Sequence, residues 1–339
     1  MDLGLTGKRA LITGSTAGIG FATAEALARE GAQVIVNGRT QRRVDEALAK
    51  LRAVSKVQVE GIAADVSGAE GCAKVIAAYP EVEILVNNMG IFEPKPFAEI
   101  SDEDWMRFFE SNVMSGVRFS RHYVRGMKAR NWGRIVFVSS ESGLQIPVEM
   151  IHYGVTKTAQ LAVARGLAES LAGTNVTVNS VLPGPTASEG VVGFVAQLAA
   201  SSGKSAAQVE KEFFQSARPT SLLRRFEDPA EIAAVIAFVC SAQASATTGA
   251  ALRADGGVVR SIASQQPAAS AAVRGTSHKS GEDPKGVPPG NLAGEAREIV
   301  LRLLVRGVGD RAHDAERHGV FITHLRHRSA LHFHACHLG

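Results

Sequence analysis

Thr13-Gly14-Ser15-Thr16-Ala17-Gly18-Ile19-Gly20 lies between an apolar run over residues 9–13 and a stretch of helical period over 19–30. Glycines at a strand-to-helix junction let the backbone approach a pyrophosphate. The helix N-terminus there offers free N–H groups and a partial positive charge. The spacing is Gly-x-x-x-Gly-x-Gly rather than the more familiar Gly-x-Gly-x-x-Gly. Taken alone it is either a tight turn or a phosphate cradle, and its position after the first strand argues for the cradle. The same alternation continues outward. Short apolar runs at 33–37, 57–63, 84–87, 134–139, 176–181 and 250–254 read as buried strands. Helical stretches at 41–53, 69–78, 102–129, 153–172 and 229–241 separate them. Strands alternating with helices of this length, joined by right-handed crossovers, predict an α/β fold. It is a doubly wound, mostly parallel, seven-stranded sheet with helices on both faces. Ligands in such sheets bind beyond the carboxyl ends of the strands.

The pattern ends near residue 263. Of 339 residues, the last 76 contain eight of the ten histidines, with ten Lys/Arg against seven Asp/Glu. Part of the net charge of +4 therefore belongs to the tail. Residues 264–294 are rich in Ser, Gly, Pro, Lys and Ala and read as a linker; 295–306 carries one apolar helical stripe. The expected organisation is a catalytic domain over 1–263 and a His-rich, disordered extension over 264–339. His332, His334, Cys336 and His337 could hold zinc or nickel, without the spacing of an established finger. No metal is expected in the main site. There is no long basic run to track phosphates, so nucleic acid is not an expected partner. Cys72, Cys240 and Cys336 are too far apart for a disulfide framework. With no basic-then-apolar leader and no run of about 18 apolar residues, the expected location is the cytoplasm rather than a membrane.

The end of the second strand bears on which dinucleotide fits. It reads Val36-Asn37-Gly38-Arg39-Thr40, followed by Arg42 and Arg43, with no carboxylate to bind a ribose hydroxyl or repel a 2′-phosphate. Arg39 either pairs with that phosphate or belongs to a solvated face, and NADP(H) is preferred over NAD(H). Asp65-Val66, ending the third strand, either contacts the adenine or caps the next turn.

Three further segments reach the same end of the sheet: Asn87-Asn88-Met89-Gly90, Ser139-Ser140 and Tyr153-Gly154-Val155-Thr156-Lys157. Four residues apart on a helix, Tyr153 and Lys157 share a face. A phenol is a poor acid or base at neutral pH, and a neighbouring ammonium favours its phenolate. The pair makes a proton donor to a carbonyl or an acceptor from an alcohol, with Ser140 orienting the substrate oxygen.

As a set and in this order, these residues resemble the short-chain dehydrogenase/reductase family, in its shorter single-domain, 3-oxoacyl-carrier-reductase-like form. The resemblance covers about residues 5–262. It rests on Thr13-Gly14-x-x-x-Gly18-x-Gly20, Asp65, Asn87-Asn88-x-Gly90, Asn112, Ser140, Tyr153-x-x-x-Lys157, Pro183-Gly184 and Asp255-Gly256-Gly257. It implies a Rossmann-like three-layer α/β/α fold and hydride exchange between a nicotinamide cofactor and a ketone or secondary alcohol. Tyr153 would be the general acid/base, Lys157 its modulator and the holder of the nicotinamide ribose. Ser140 would steady the carbonyl, and Asn112 would position a water that passes protons on from Lys157. The implied cofactor site comprises Gly14, Ser15, Thr16, Gly18, Ile19, Gly20, Arg39, Asp65, Val66, Asn88, Gly90, Tyr153, Lys157, Pro183, Gly184 and Thr186. The family pairs its long helices across subunits, which implies a homo-oligomer, a tetramer or dimer. Two features depart from the pattern. Met89 replaces a small alanine beside the cofactor ribose, and the tail after 262 is either an unusual extension or an out-of-frame read-through.

Residues 187–227 exceed a simple link and read as two short helices joined at Ser201-Ser202-Gly203-Lys204, a lid over the substrate. Its apolar residues either line a hydrophobic or acyl-chain site or pack the lid on the core. Lys204, Lys211, Arg218, Arg224 and Arg225 could meet an acidic acyl carrier. The leading expectation is NADPH-dependent reduction of a small-molecule ketone, most like a 3-oxoacyl thioester. The alternatives are an NAD(P)-dependent alcohol, steroid or xenobiotic dehydrogenase, and a non-catalytic nucleotide-sensing protein.

Overall fold

The computed structural model describes residues 2–262. The readings made for the tail, its linker, helix 295–306 and His/Cys cluster, lie outside the described residues. Seven strands form one sheet in the order β3-β2-β1-β4-β5-β6-β7. They are β1 (Arg9–Ile12), β2 (Gln33–Gly38), β3 (Val59–Ala63), β4 (Ile84–Asn87), β5 (Gly133–Val138), β6 (Val176–Pro183) and β7 (Ala251–Ala254). Every neighbouring pair is parallel. The order reverses direction between β1 and β4, which opens a crevice at the carboxyl edge where the glycine turn leaves β1.

Successive side chains on a strand point to opposite faces, so each apolar strand feeds two cores. Ala10, Ile12, Val34, Val36, Ile84 and Val86 pack beneath α1 (Gly18–Arg29), α2 (Gln41–Val54) and α9 (Pro229–Cys240). Leu11, Ile35, Leu85, Ile135 and Phe137 pack on the other face. There they meet α3 (Ala69–Ala78), α5 (Ser115–Ala129) and α6 (Ile151–Glu169). The three-layer α/β/α arrangement follows from that alternation.

One helix differs from its expected form. The span 102–129 is α4 (Asp102–Phe109), a π turn (Glu110–Met114) and α5, with Ser101 capping the Asp104 N–H. At the π turn the carbonyl ladder loosens, and Ser111 O accepts from Ser115 Oγ at 2.6 Å. The segment read as a lid holds two helices: α7 (Glu189–Ser202) and α8 (Ala206–Ser216). Gly203 ends α7 in the left-handed region at φ 66°, and Ser205 and Gln208 form a capping box for α8.

Candidate active site

The glycine turn is fastened on both sides. Asn37 Oδ1 accepts from Gly14 N at 3.2 Å, and its Nδ2 donates to Ile62 O and Ala64 O at 3.3 and 3.1 Å. Asn88 Nδ2 donates to Thr13 O and Gly14 O at 2.9 and 3.0 Å. The turn tolerates no bulk. A Cβ on Gly20 would fall 2.5 Å from Asn88 Nδ2 and 2.6 Å from Gly14 O; Gly18 has φ 56°. Helix α1 has no side-chain cap at Ala17 and no acidic residue in its first turn. Its first N–H groups therefore face the crevice without a protein anion, which suits a pyrophosphate.

Of the three arginines after β2, Arg42 pairs with Glu46 at 2.6 Å and Arg43 with Glu189 at 2.5 Å. Arg39 is exposed and, among the described residues, carries no ion pair. Asp65 caps the next turn: Oδ1 accepts from Ser67 N at 3.0 Å. Hydrogen bonds from the Ser67 side chain and then its N–H, with the Arg39 charge adding to them, hold its carboxyl below the usual range. The Val66 side chain is buried in the core, leaving only its backbone for an adenine. Met89 turns its side chain onto the α3–α5–α6 core, so it does not plug the crevice. These residues fit a dinucleotide.

At the other end, Pro183 and Gly184 close β6. Gly184 N donates to Ala254 O at 2.9 Å and to Glu227 Oε2 at 3.1 Å, and Thr186 bridges to Glu227 through the backbone. Burial pushes the Glu227 carboxyl up to about 7, with Asp255 adding to the rise and the Gly184 N–H opposing it.

Between these two ends stand the proton-handling residues. Tyr153, in the first turn of α6, is half-buried and meets Phe92 edge-on at 6.4 Å. Burial raises its phenol above the ordinary tyrosine value; a hydrogen bond with Ser140 and the Arg218 charge oppose the rise, and Glu141 reinforces it. Lys157 is buried one turn on, its Nζ 5.6 Å from the Tyr153 ring centroid, donating to Val138 O at 3.0 Å and Gln160 Oε1 at 3.2 Å. Burial lowers its ammonium to about 7. The site thus favours a neutral phenol, the form that can give a proton to a carbonyl.

Asn112 lies in the π turn with its side chain fully used. Nδ2 donates to Ile91 O and Thr156 Oγ1, each at 3.0 Å, and Oδ1 accepts from Ile91 N at 2.7 Å. Its main-chain carbonyl accepts from Gln160 Nε2 at 2.6 Å. Gly90 sits above both, since a Cβ there would lie 3.4 Å from Asn112 Oδ1 and from Lys157 Nζ.

Two neighbours escaped the sequence reading, Glu141 and Gln160, and a third, Arg218, was read there only as a carrier-facing cation. Ser140 Oγ donates to Glu141 Oε2 at 2.7 Å, as does Ser142 Oγ at 2.5 Å. Arg218, from the segment after α8, donates to Glu141 Oε1 at 2.7 Å and Glu149 Oε1 at 3.0 Å. Arg218 is therefore no surface cation: it is buried, and it ties the lid to the serine's partner. Lys204 and Arg225 are also spent, on Glu212 and Glu231. The row of cations read as a carrier-facing patch is thereby reduced to Lys211 and Arg224. Apolar side chains rim the opening instead. Phe92, Leu144, Ile146 and Val148 are exposed, and Ile146 lies against Gly154 beside Tyr153.

A family model for short chain dehydrogenases matches residues 8–198. Over 263 residues the chain is 48% identical to the uncharacterized oxidoreductase YvaG of Bacillus subtilis, covering 77% of this chain and all of that protein. The 3-oxoacyl-[acyl-carrier-protein] reductase FabG of Aquifex aeolicus is 32% identical over 262 residues, 76% of this chain and all of that protein. Among solved structures, L-sorbose reductase from Gluconobacter frateurii, complexed with NADPH and L-sorbose, superposes with a TM-score of 0.73. Its identity is 32%, over 77% of this chain and all of that one.

Proposed function

The chain belongs to the short-chain dehydrogenase/reductase family and is an NAD(P)-dependent oxidoreductase of CH–OH and C=O groups; from that premise we propose that it reduces a ketone with NADPH. The observation that carries this reading is geometric: the Tyr153 ring, one turn before Lys157 on α6 and 5.6 Å from its Nζ, at the open carboxyl edge of the sheet. When bound, the reduced dinucleotide supplies the hydride. Tyr153 donates a proton to the carbonyl oxygen, Ser140 holds that oxygen, and the Lys157 ammonium offsets charge developing on the phenol. Gly14, Ser15, Thr16, Gly18, Ile19 and Gly20 would cradle the pyrophosphate, with Asn88 and Gly90 beside the ribose. Pro183, Gly184 and Thr186 would border the nicotinamide. Arg39, exposed and without an ion pair among the described residues, supports NADPH over NADH.

The rim of Phe92, Leu144, Ile146 and Val148 supports a ketone with an apolar substituent, such as a 3-oxoacyl thioester, free or carrier-bound. Exposed Met106 and Phe109 on α4 and Val155 on α6 support a homo-oligomer, a dimer or tetramer. Buried, unpaired Cys72 and Cys240 suit a cytoplasmic enzyme. One observation favours the oxidative direction. Ser140 Oγ gives its one rotatable proton to Glu141, so as it stands it can accept from an alcohol, whereas holding a carbonyl oxygen requires that proton to turn to the substrate.

The test is a spectrophotometric panel in both directions, with NADPH, NADH and their oxidised forms against acetoacetyl thioesters, aromatic ketones, steroids and sugars. Faster NADPH consumption with the thioesters is expected. Turnover confined to alcohols would reverse the assignment. A Tyr153→Phe protein should bind NADPH and lose turnover; unchanged turnover would remove Tyr153 from the chemistry.

A further inference from the structure

Gln160 follows Lys157 by three residues on α6, so their side chains leave the helix on one face. Its exposure is 1%. An amide so fully buried is held by hydrogen bonds at both ends, and here both ends serve the catalytic set. Oε1 accepts from Lys157 Nζ at 3.2 Å, and Nε2 donates to the Asn112 carbonyl at 2.6 Å. An ammonium only donates and a carbonyl only accepts, so the amide has one orientation that satisfies both. The carbonyl it reaches belongs to the π turn, where Ser111 O likewise accepts from a side chain, that of Ser115.

We infer that Gln160 is a positioning residue of the active site: its amide ties the Lys157 ammonium to the π turn and keeps it charged behind Tyr153. This rests on the assignment of Tyr153 and Lys157 proposed above. An amide does not ionise near neutral pH, so Gln160 passes no proton. It supplies a fixed dipole whose oxygen faces the ammonium. The titratable neighbour on the same helix is Tyr153, on which Glu141 and Arg218 act. The β4 loop and the π turn present Gly90 and Asn112, which carry no charge, and β5 presents the Val138 carbonyl.

Substitutions of opposite sign separate positioning from packing. Gln160→Met keeps length and flexibility and removes the acceptor; Gln160→Glu keeps shape and adds a negative charge. The full chain, labelled with ¹³C-lysine, is titrated by NMR without nucleotide, and the Lys157 signal is identified by its loss in Lys157→Met. Burial places that signal near pH 7, well apart from ordinary lysines. The midpoint should fall by about one pH unit in Gln160→Met and rise by about one or more in Gln160→Glu. The alkaline limb of kcat should move in the same two directions. Midpoints that stay put, or that move the same way in both variants, overturn the inference. Unshifted midpoints beside an inactive Tyr153→Phe strike Gln160 alone. Unimpaired turnover in Tyr153→Phe strikes the active-site assignment, and the Gln160 inference with it.

Discussion

Replacing Lys157 with methionine isolates what the fold gives up to keep an ammonium under Tyr153. Burial holds Lys157 at about 7, against 10.5 for an ordinary lysine. A folded value below the unfolded one means that the folded protein binds the proton less readily, so the charge opposes folding wherever the unfolded chain is protonated. That opposition is complete below about pH 7, shrinks as pH rises toward about 10.5 and vanishes above it. At about 1.4 kcal/mol per pH unit of separation, it amounts to about 4–5 kcal/mol near pH 7 as an upper bound, and about 1 kcal/mol near pH 10. Methionine keeps the aliphatic stem but leaves the Val138 carbonyl and Gln160 Oε1 without their donor. That costs about 1–3 kcal/mol for each group and does not vary with pH. The informative quantity is therefore the slope. Urea unfolding of both proteins from about pH 7 to about pH 10 should show the variant losing about 3 kcal/mol relative to the wild type, as the wild type recovers. Groups shared by both proteins cancel in the difference. A stability difference that stays flat across this range would refute the argument that burial lowers the Lys157 pKa.

Arg39→Asp should weaken NADPH binding by about 10–100-fold and leave NADH nearly unchanged, as read by fluorescence titration; equal losses would remove Arg39 from the phosphate site. Gly20→Ala puts a methyl group within 2.6 Å of Gly14 O, so NADPH affinity should drop by more than about tenfold while the far-UV circular dichroism is kept. Unchanged affinity would show that the turn does not set the cradle. His152 is buried against Phe108, with no hydrogen-bond partner for either ring nitrogen. Burial lowers its pKa below 6.5, so the folded state disfavours the charged ring and wild-type stability falls as pH drops through that value. His152→Leu should gain about 1 kcal/mol at neutral pH and more in acid. Thermal melts that decline in parallel would contradict this.

The layers and the glycine turn were legible because parallel strands buried on both faces are apolar throughout, and because glycine at a strand end has few other uses. Tyr153 and Lys157 were legible as candidates from their spacing taken together with Ser140 and the glycine turn in that order. The π turn was not: residues 110–114 continue the periodicity of their helix, and the break shows only in which carbonyls find side-chain donors. Arg218 and Glu141 were unreadable for a related reason. A charged residue far along the chain looks solvated until the lid folds back and buries it against a carboxylate 77 positions away. Gln160 was hidden because a single amide on a helix carries no pattern. Asp65 had two readings, and the Ser67 N–H bond shows the capping one without excluding the other.

The way Asn37 stitches β2 to the glycine turn limits which positions at this edge can change charge. A carboxylate at 37 would face the Ile62 and Ala64 carbonyls with no proton to offer them, and a Cβ at 38 would meet Thr16 Cγ2 at 2.4 Å. With both neighbours constrained, the exposed guanidinium at 39 is the place where charge can vary with least disturbance to the turn.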